Sequence, residues 1–311
     1  MKKERLSLIV PCYNEEQSLN SFIRETLSVL QTIENIEGEI IFIDDGSSDG
    51  TLRRIRELHE EHPCVRYISF SRNFGKESAI LAGMRAAKGD YAAVMDADLQ
   101  DPPALLPEML RAIREEGYDC VGTRRTTRKG EPPVRSFLAY CFYRLINRLS
   151  DTKLMDGARD YKLLSRKALD ALLSMPENNR FTKGLYEWIG FRTKWLTYEN
   201  IERAAGGSKW SLWRLFKYSL VGIISFTSFP LHLSALLGIL FMGISLILIV
   251  TLSIRQIIYH SSVDGWTSLV CIILLLSGIQ LFSLGIIGQY LSRMFTEIKR
   301  RPSYIINEQS N

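Results

Sequence analysis

The sequence predicts an α/β domain with a mostly parallel β-sheet, followed by interfacial helices and two C-terminal transmembrane helices. Short apolar runs alternate with helical patterns up to about residue 125, as in a parallel sheet covered by helices. Polar clusters follow the first four strands, at the edge where ligands of such sheets bind. Two long blocks, Leu231–Ile254 and Trp266–Leu291, contain no Asp, Glu, Lys or Arg, and each exceeds the roughly 20 residues that cross a bilayer.

Each element of the predicted sheet corresponds to its own stretch of sequence. The strands are LSLIVPCY, EIIFIDD, VRYISFS, YAAVMDAD and YDCVGT. The helices between them are EEQSLNSFIRETLSVLQTI, DGTLRRIRELHEEH, KESAILAGMRAA and PALLPEMLRAIREEG. The polar clusters are PCYNEE, DDGSSDG, SRNFGKE and DADLQD. Residues 126–165 are less regular and allow only a loose assignment.

Composition and motifs exclude several classes of protein. The 311 residues carry a net charge of +5 without a long basic run, which argues against nucleic-acid binding. The five cysteines are scattered and include no CxxC pair, which indicates a reduced, cytosol-facing domain without structural zinc. The first apolar run is too short for a signal peptide.

DDGSSDGT begins like a calcium loop, but Arg56 stands where that loop requires Glu. No GxGxxG motif follows a strand, which argues against a dinucleotide oxidoreductase.

Aromatic and basic residues precede the two uncharged blocks. The stretches RFTKGLYEWIGFRTKW and SKWSLWRLFKYSL have the composition of helices that lie at the headgroup level of a membrane. The alternative is that both are amphipathic helices covering the sheet. Lys and Arg flank the outer ends of the two spans. The positive-inside rule therefore predicts that both termini lie in the cytoplasm and that the protein is a multi-pass protein of the inner, or plasma, membrane.

The stretch MDADLQDPP places Asp96, Asp98 and Asp101 within six positions. In an extended segment Asp96 and Asp98 would point the same way, and close carboxylates disfavour each other's ionisation unless a cation lies beside them. A divalent ion held with diphosphate oxygens and water would remove the conflict, and this ligand set suits Mg²⁺ or Mn²⁺. The alternative is a polar turn without a ligand, because a lone D-x-D motif is weak evidence.

In their order along the chain, PCYNEE, DDGSSDG, SRNFGKE and MDADLQDPP resemble the inverting glycosyltransferases that make polyprenyl-phosphate sugars. Dolichyl-phosphate mannose synthase and bacterial undecaprenyl-phosphate glucosyltransferases belong to that family. The resemblance extends over nearly the whole chain and implies a GT-A fold, a nucleotide-sugar donor, a polyprenyl phosphate acceptor and Mg²⁺ or Mn²⁺. The expected organisation is a cytosolic GT-A catalytic domain over residues 1–205, an interfacial helix over 206–230, and two transmembrane helices with a cytosolic tail over 231–311.

The resemblance also implies a role for individual residues. The base and ribose of the donor would be held by Pro11, Tyr13, Glu15, Asp44 and Asp45. Lys76 would also bind the nucleotide sugar. The diphosphate and metal would be surrounded by Asp96, Ala97, Asp98 and Gln100, with Asp96 and Asp98 as metal ligands. The donor phosphates would be reached by Arg203 and Lys209, and the acceptor phosphate by Arg124 and Arg135. Asp160 stands at the position of the base, although Arg159, Tyr161 and Lys162 depart from the family's G-D-F-R-L-M segment.

The implied reaction transfers a single hexose from a UDP-sugar to undecaprenyl phosphate with inversion. Similar proteins use glucose, N-acetylglucosamine, galactose and modified arabinose donors, and of these UDP-glucose or UDP-N-acetylglucosamine is expected here. The sequence does not choose the sugar. The acceptor phosphate is mostly ionised at pH 7, so it needs positioning more than deprotonation. A metal on Asp98 would stabilise the leaving diphosphate. Asp160 can orient the phosphate, take its last proton or stabilise positive charge on the sugar, and the sequence leaves these three roles open.

Two other functions compete with this interpretation. A processive polysaccharide synthase would carry a Q-x-x-R-W segment, which is absent here. A non-catalytic membrane scaffold would not need the acids at positions 96, 98 and 160. Polar residues in the second span, among them Gln280 and Gln289, favour helix association and allow a homo-oligomer.

Overall fold

The structure is a computed structural model that describes residues 3–125, 144, 146–149, 153, 155–198, 227–259 and 265–310. The chain divides into two compact units. The first comprises Met1–Gly222 together with Arg301–Asn311, and the second comprises Ile223–Arg300. Within the described residues, the first unit is an α/β domain and the second consists of two long helices.

One mixed sheet organises the first unit. Its strands are β1 (Glu4–Cys12), β2 (Ile36–Asp44), β3 (Val65–Phe70), β4 (Tyr91–Val94), β5 (Cys120–Arg125), β6 (Ala158–Ser165), β7 (Thr193–Tyr198) and β8 (Ile306–Gln309). They lie in the order β7-β5-β6-β4-β1-β2-β3-β8. Strands β1 to β4 run parallel to one another, and β5 pairs in parallel with β7. Strand β6 is antiparallel to β4 and β5, and β8 is antiparallel to β3. The predicted mostly parallel sheet is therefore confirmed.

Helices cover the sheet between these strands. They are α1 (Leu19–Thr32), α2 (Thr51–Glu61), α3 (Lys76–Ala86), α4 (Leu106–Arg114), α5 (Arg166–Leu173) and α6 (Thr182–Trp188). Helix α1 buries Leu19, Phe22 and Ile23, at the spacing of a single helix face. These residues pack in one apolar cluster with strand residues such as Leu8 and Phe42.

The first five predicted strands and the first four predicted helices are present, with ends that differ by a few residues. The largest difference among the strands is in β4, which ends at Val94 rather than continuing to Asp98. The first predicted interfacial stretch is not one continuous helix. Its residues form α6 and β7 of the domain, with Phe181 and Tyr186 buried and Trp188 63% exposed. Packing within the domain therefore buries Phe181 and Tyr186, whereas Trp188 stays at the surface. The second stretch, residues 208–220, lies outside the described residues.

The C-terminal tail adds strand β8 to the free edge of β3. Arg56 donates two hydrogen bonds to the carboxylate of Glu308, at 2.8 and 2.7 Å. The ring of Tyr304 stacks on Phe70, with centroids 4.9 Å apart and an interplanar angle of 12°. The tail thereby covers an edge strand that would otherwise present unpaired backbone groups.

The second unit contains α7 (Phe229–Tyr259) and α8 (Trp266–Ile298). Both helices are long and apolar enough to cross a membrane, with mean hydropathy of 2.7 over Phe229–Arg255 and 1.9 over Ile272–Ile298. Their apolar side chains are largely exposed, as at Leu246, which is 64% exposed. The two predicted spans thus correspond to two helices of spanning length.

Candidate functional site

The candidate site lies where the carboxyl ends of the parallel strands meet. Strands β1 to β4 end at the same edge of the sheet because they run in the same direction. Strand β6 runs the opposite way, so it begins at this edge, with Val94 of β4 opposite Lys162 of β6. This register brings Arg159 and Asp160 to the segment that follows β4.

Lys76 joins two carboxylates that are far apart in the sequence. It is the first residue of α3, and its Nζ lies 2.6 Å from Asp96 Oδ1 and 2.5 Å from Asp160 Oδ2. Burial opposes the charge on Lys76, but Asp160 and Asp96 outweigh it and raise the pKa of the lysine. The cation beside Asp96 in this structure is therefore a lysine ammonium.

Asp160 is held from its other side by Lys183 of α6. The Nζ of Lys183 lies 3.5 Å from Asp160 Oδ1 and donates to the carbonyl oxygen of Ala158 at 3.2 Å. Burial opposes ionisation of Asp160, but Lys183 and Lys76 outweigh it and lower the pKa of the carboxyl group. Asp160 therefore stays ionised at neutral pH and is a weak proton acceptor. Sequence reasoning missed Lys183, because nothing near it in the chain marks it.

Asp98 does not continue the strand that precedes it. The strand has ended at Val94, Ala97 and Asp98 lie in a turn, and Leu99 adopts a left-handed conformation with φ of 57°. Asp98 Oδ1 accepts a hydrogen bond from the backbone N–H of Gln100 at 3.1 Å. The prediction that Asp96 and Asp98 lie in one extended segment is wrong, because the turn interrupts the alternation of side chains.

Asp101 is fully buried and pairs with Arg159, one of the residues that depart from the family pattern. Arg159 Nε donates to Asp101 Oδ1 at 2.9 Å, and the Tyr198 hydroxyl donates to the same oxygen. Arg159 also contacts the side-chain oxygen of Gln100, at 3.4 Å. Burial opposes the charge on Arg159, but Asp101 and Asp96 raise its pKa. This buried pair anchors the DADLQD segment to the start of β6.

Asp44 and Asp45, both predicted to contact the donor, are buried at the end of β2 and bind groups of the domain itself. Asp44 accepts hydrogen bonds from Ser47 N at 3.1 Å and Ser69 Oγ at 2.8 Å. Asp45 accepts from the backbone N–H groups of Phe74 and Gly75, at 2.7 and 2.9 Å. Burial raises the pKa of Asp45 to about 6, against the lowering effect of these two donors. Both acids hold the loops around the site in place.

The remaining predicted residues differ in burial and contacts, and some lie outside the described part of the chain. Ala97 is buried within the DADLQD turn, and Tyr13, just after β1, is 42% exposed. Pro11 lies in β1 and Glu15 accepts a hydrogen bond from Ser18 Oγ at 3.3 Å. Arg124 contacts the sulfur of Met155, with 3.6 Å between Nη1 and Sδ. Arg135, Arg203 and Lys209 lie outside the described residues.

The predicted metal ligands, Asp96 and Asp98, are two carboxylates that do not form a metal site by themselves. Within the part of the chain that the structure describes, no group of three or more His, Cys, Asp and Glu side chains is arranged to hold a metal. Two carboxylates, Asp96 and Asp98, remain near one another in sequence after β4. Mg²⁺ often binds through one or two carboxylates plus substrate phosphates, so this site suits an ion that shares the diphosphate of a nucleotide.

Comparison with known protein families identifies the family of the α/β domain that carries this site. Residues 7–173 match the family model described as Glycosyl transferase family 2. The chain belongs to glycosyl transferase family 2. This membership, with the observed sheet, confirms the predicted GT-A fold class and the predicted glycosyltransferase class of enzyme.

Several relatives of this family 2 glycosyltransferase are similar over almost their full length. CsbB of Bacillus subtilis (strain 168), named as a glycosyltransferase, is 46% identical over 99% of this chain and 93% of its own. The SfII prophage-derived bactoprenol glucosyl transferase of Shigella flexneri is 37% identical over 98% of both chains. The solved structure of glucosyl-3-phosphoglycerate synthase from Mycobacterium tuberculosis with Mn²⁺, UDP and phosphoglyceric acid aligns with a TM-score of 0.48 and 18% identity, over 70% of this chain and 75% of that one.

Proposed function

We propose that this glycosyltransferase transfers a single hexose from a UDP-sugar to polyprenyl phosphate with inversion, making a lipid-linked sugar for the cell envelope. The observation that carries the proposal is the cluster Asp96–Lys76–Asp160–Lys183 at the carboxyl edge of the sheet. A chain that adds two helices of spanning length to this site suits a lipid acceptor. Relatives named bactoprenol glucosyl transferases support the same acceptor class and favour glucose over N-acetylglucosamine as the sugar.

In the proposed reaction the acceptor phosphate is the nucleophile. A phosphate monoester has a second pKa of about 6 and is mostly ionised at pH 7, so Asp160 has no proton that it must take. Asp160 instead stays ionised, orients the two lysine ammonium groups and offsets positive charge on the sugar. Lys76 stands beside Asp96 and stabilises the donor diphosphate. When a divalent ion is bound by Asp96 and Asp98, it stabilises the negative charge on the leaving nucleoside diphosphate.

The remaining contacts to substrate are proposed from the family resemblance. The half-exposed ring of Tyr13 suits stacking on the donor base. The base and ribose are further contacted by Pro11, Glu15, Asp44 and Asp45, and the diphosphate by Ala97 and Gln100. Arg203 and Lys209 reach the donor phosphates, and Arg124 and Arg135 reach the acceptor phosphate.

Transfer can be measured with the full-length protein purified in detergent. We expect that UDP-glucose and a short-chain polyprenyl phosphate yield free UDP and a lipid carrying one β-linked hexose, as read by mass spectrometry and NMR. The unphosphorylated polyprenol is the matched control and should give no product. Several hexoses per lipid would instead support a processive synthase, and no product with any UDP-hexose would refute the proposed function.

We further propose that both termini and the catalytic domain lie in the cytoplasm, with the protein in the inner or plasma membrane. Lys209, Arg214 and Lys217 precede the first span, and Arg293, Lys299, Arg300 and Arg301 follow the apolar part of the second. In a variant without the five native cysteines, a membrane-impermeant thiol reagent added to intact cells should label Ser262→Cys and leave Asn311→Cys unlabelled. Labelling of Asn311→Cys alone would reverse the orientation. Permeabilised cells are the control, since both variants should then react.

A further inference from the structure

We propose that Lys183 binds the phosphate of the lipid acceptor. This inference rests on the proposed function and assigns one residue to the acceptor side of the same site. Its basis is the arrangement of two lysines on the two oxygens of Asp160. Lys76 contacts Oδ2 and Lys183 contacts Oδ1, at 2.5 and 3.5 Å.

The two lysines differ in what else they contact. Lys76 also binds Asp96, at 2.6 Å, and so belongs to the acidic segment that serves the donor diphosphate. Lys183 comes from α6 and donates to the carbonyl oxygen of Ala158, at the start of β6. Inversion by direct displacement requires the nucleophile to approach from the side opposite the leaving group. Because Lys76 is already committed to the donor segment, the cation on the other oxygen of Asp160 is the one that we assign to the acceptor.

The spacing of the two lysines is held by a second contact between their helices. Glu77, next to Lys76 in α3, accepts hydrogen bonds from the backbone N–H of Thr182 at 3.0 Å and from its hydroxyl. Thr182, the neighbour of Lys183, is 4% exposed. The first residues of α3 and α6 are thus joined twice, once through Asp160 and once through Glu77. Such a frame holds charged side chains in place before substrate binds, which lowers the entropic cost of binding.

Charge balance explains why the acceptor needs this lysine. A phosphate monoester brings a charge of about −1.5 to −2 at pH 7, and it must approach the carboxylate of Asp160. A cation between the two anions converts repulsion into attraction. The Lys183 side chain is 26% exposed, so a ligand can reach it. Arg124, the predicted acceptor residue within the described chain, contacts the sulfur of Met155, and Lys183 would act beside it on the same phosphate.

The proposal is tested by comparing Lys183→Met, Lys183→Arg and Lys76→Met in steady-state transfer. We expect Lys183→Met to raise the KM for a short-chain polyprenyl phosphate about ten- to a hundredfold, the loss typical of one charge-assisted contact. The Kd for UDP should stay within about threefold. Lys183→Arg should recover most of the acceptor affinity. Lys76→Met should show the complementary pattern, with weaker UDP binding and a KM for the lipid near that of the wild type.

The control is Lys167→Met, which removes a lysine that is 71% exposed on α5 and should leave both substrates unaffected. A Lys183→Met variant with normal acceptor KM, or with weakened UDP binding, would overturn the assignment. A lowered melting temperature without rescue by arginine would show a purely structural role and would also overturn it. Failure of the wild-type protein to glycosylate the lipid would refute the proposed function itself, and titration of short-chain polyprenyl phosphate into wild type and Lys183→Met would still test the binding role of Lys183.

Discussion

Replacement of Asp160 by asparagine is expected to lower the rate of hexose transfer at saturating substrates by a hundredfold or more, on the order of 3 kcal/mol. Asp160 is the counter-ion of both Lys76 and Lys183. Removing its charge leaves two ammonium groups facing a neutral amide. The lysines would then take other positions, and both ends of the reaction would lose their alignment.

The experiment is a comparison of kcat for wild type, Asp160→Asn and Asp170→Asn. Asp170 lies on the surface of α5 and pairs with Arg166, so its variant controls for the loss of a carboxylate away from the site. Circular dichroism and UDP titration should show that Asp160→Asn is folded. Turnover of Asp160→Asn within about threefold of wild type would contradict the role of Asp160 as the central counter-ion.

The pH dependence of kcat/KM for the acceptor separates the roles that the sequence left open for Asp160. Because Lys183 and Lys76 lower its pKa despite burial, Asp160 is ionised throughout the range above pH 5. We therefore expect the acidic limb of the profile to follow the acceptor phosphate, with a pKa of about 6, and activity to be lost as the pH falls through that value. A phosphonate acceptor with a different second pKa should move this limb. If the acidic limb stays at the same pH when the acceptor is changed, the limb reports the titration of a protein group instead.

Replacement of Asp98 by asparagine is expected to cut turnover by a hundredfold or more, again on the order of 3 kcal/mol, while the protein remains folded and membrane-inserted. The reason is the negative charge that the leaving UDP gains, which a divalent ion held by Asp96 and Asp98 would stabilise. EDTA should abolish transfer by the wild type, and Mn²⁺ or Mg²⁺ should restore it. Full activity in EDTA, or in the Asp98→Asn variant, would remove the metal from the mechanism.

The contacts of Asp96 and Asp98 predict how tightly the protein alone binds a divalent ion. Asp96 is already paired with Lys76, and Asp98 accepts a hydrogen bond from Gln100 N, so the described residues offer no ready-made metal cage. Electron paramagnetic resonance should therefore detect weak Mn²⁺ binding to the protein alone and at least about tenfold tighter binding once UDP is present. Equal Mn²⁺ affinity with and without UDP would show that the protein holds the ion by itself. Asp170→Asn again provides the control.

Local patterns in the sequence were sufficient to predict much of the fold. Alternation of apolar strands with amphipathic helices depends on neighbouring residues, so β1 to β5 and α1 to α4 were predictable with ends a few residues off. The two apolar helices were equally clear, because length and absence of charge are properties of a single segment. The ordered motifs predicted the family, which the comparison confirmed. They also placed Asp96, Asp98 and Asp160 together as candidates.

Local sequence patterns thus specify the class of fold, the two long apolar helices, the family and the acidic residues of the candidate site. The groups that contact those acids depend on tertiary packing. Lys76 and Asp160 are 84 positions apart, and Lys183 reaches Asp160 from a helix that the sequence suggested lay at a membrane surface. Strand β8 has four residues and pairs with an edge strand far back in the chain. Such contacts follow from packing between elements distant in sequence, where register and side-chain direction, rather than local periodicity, determine which charges come within a few ångströms.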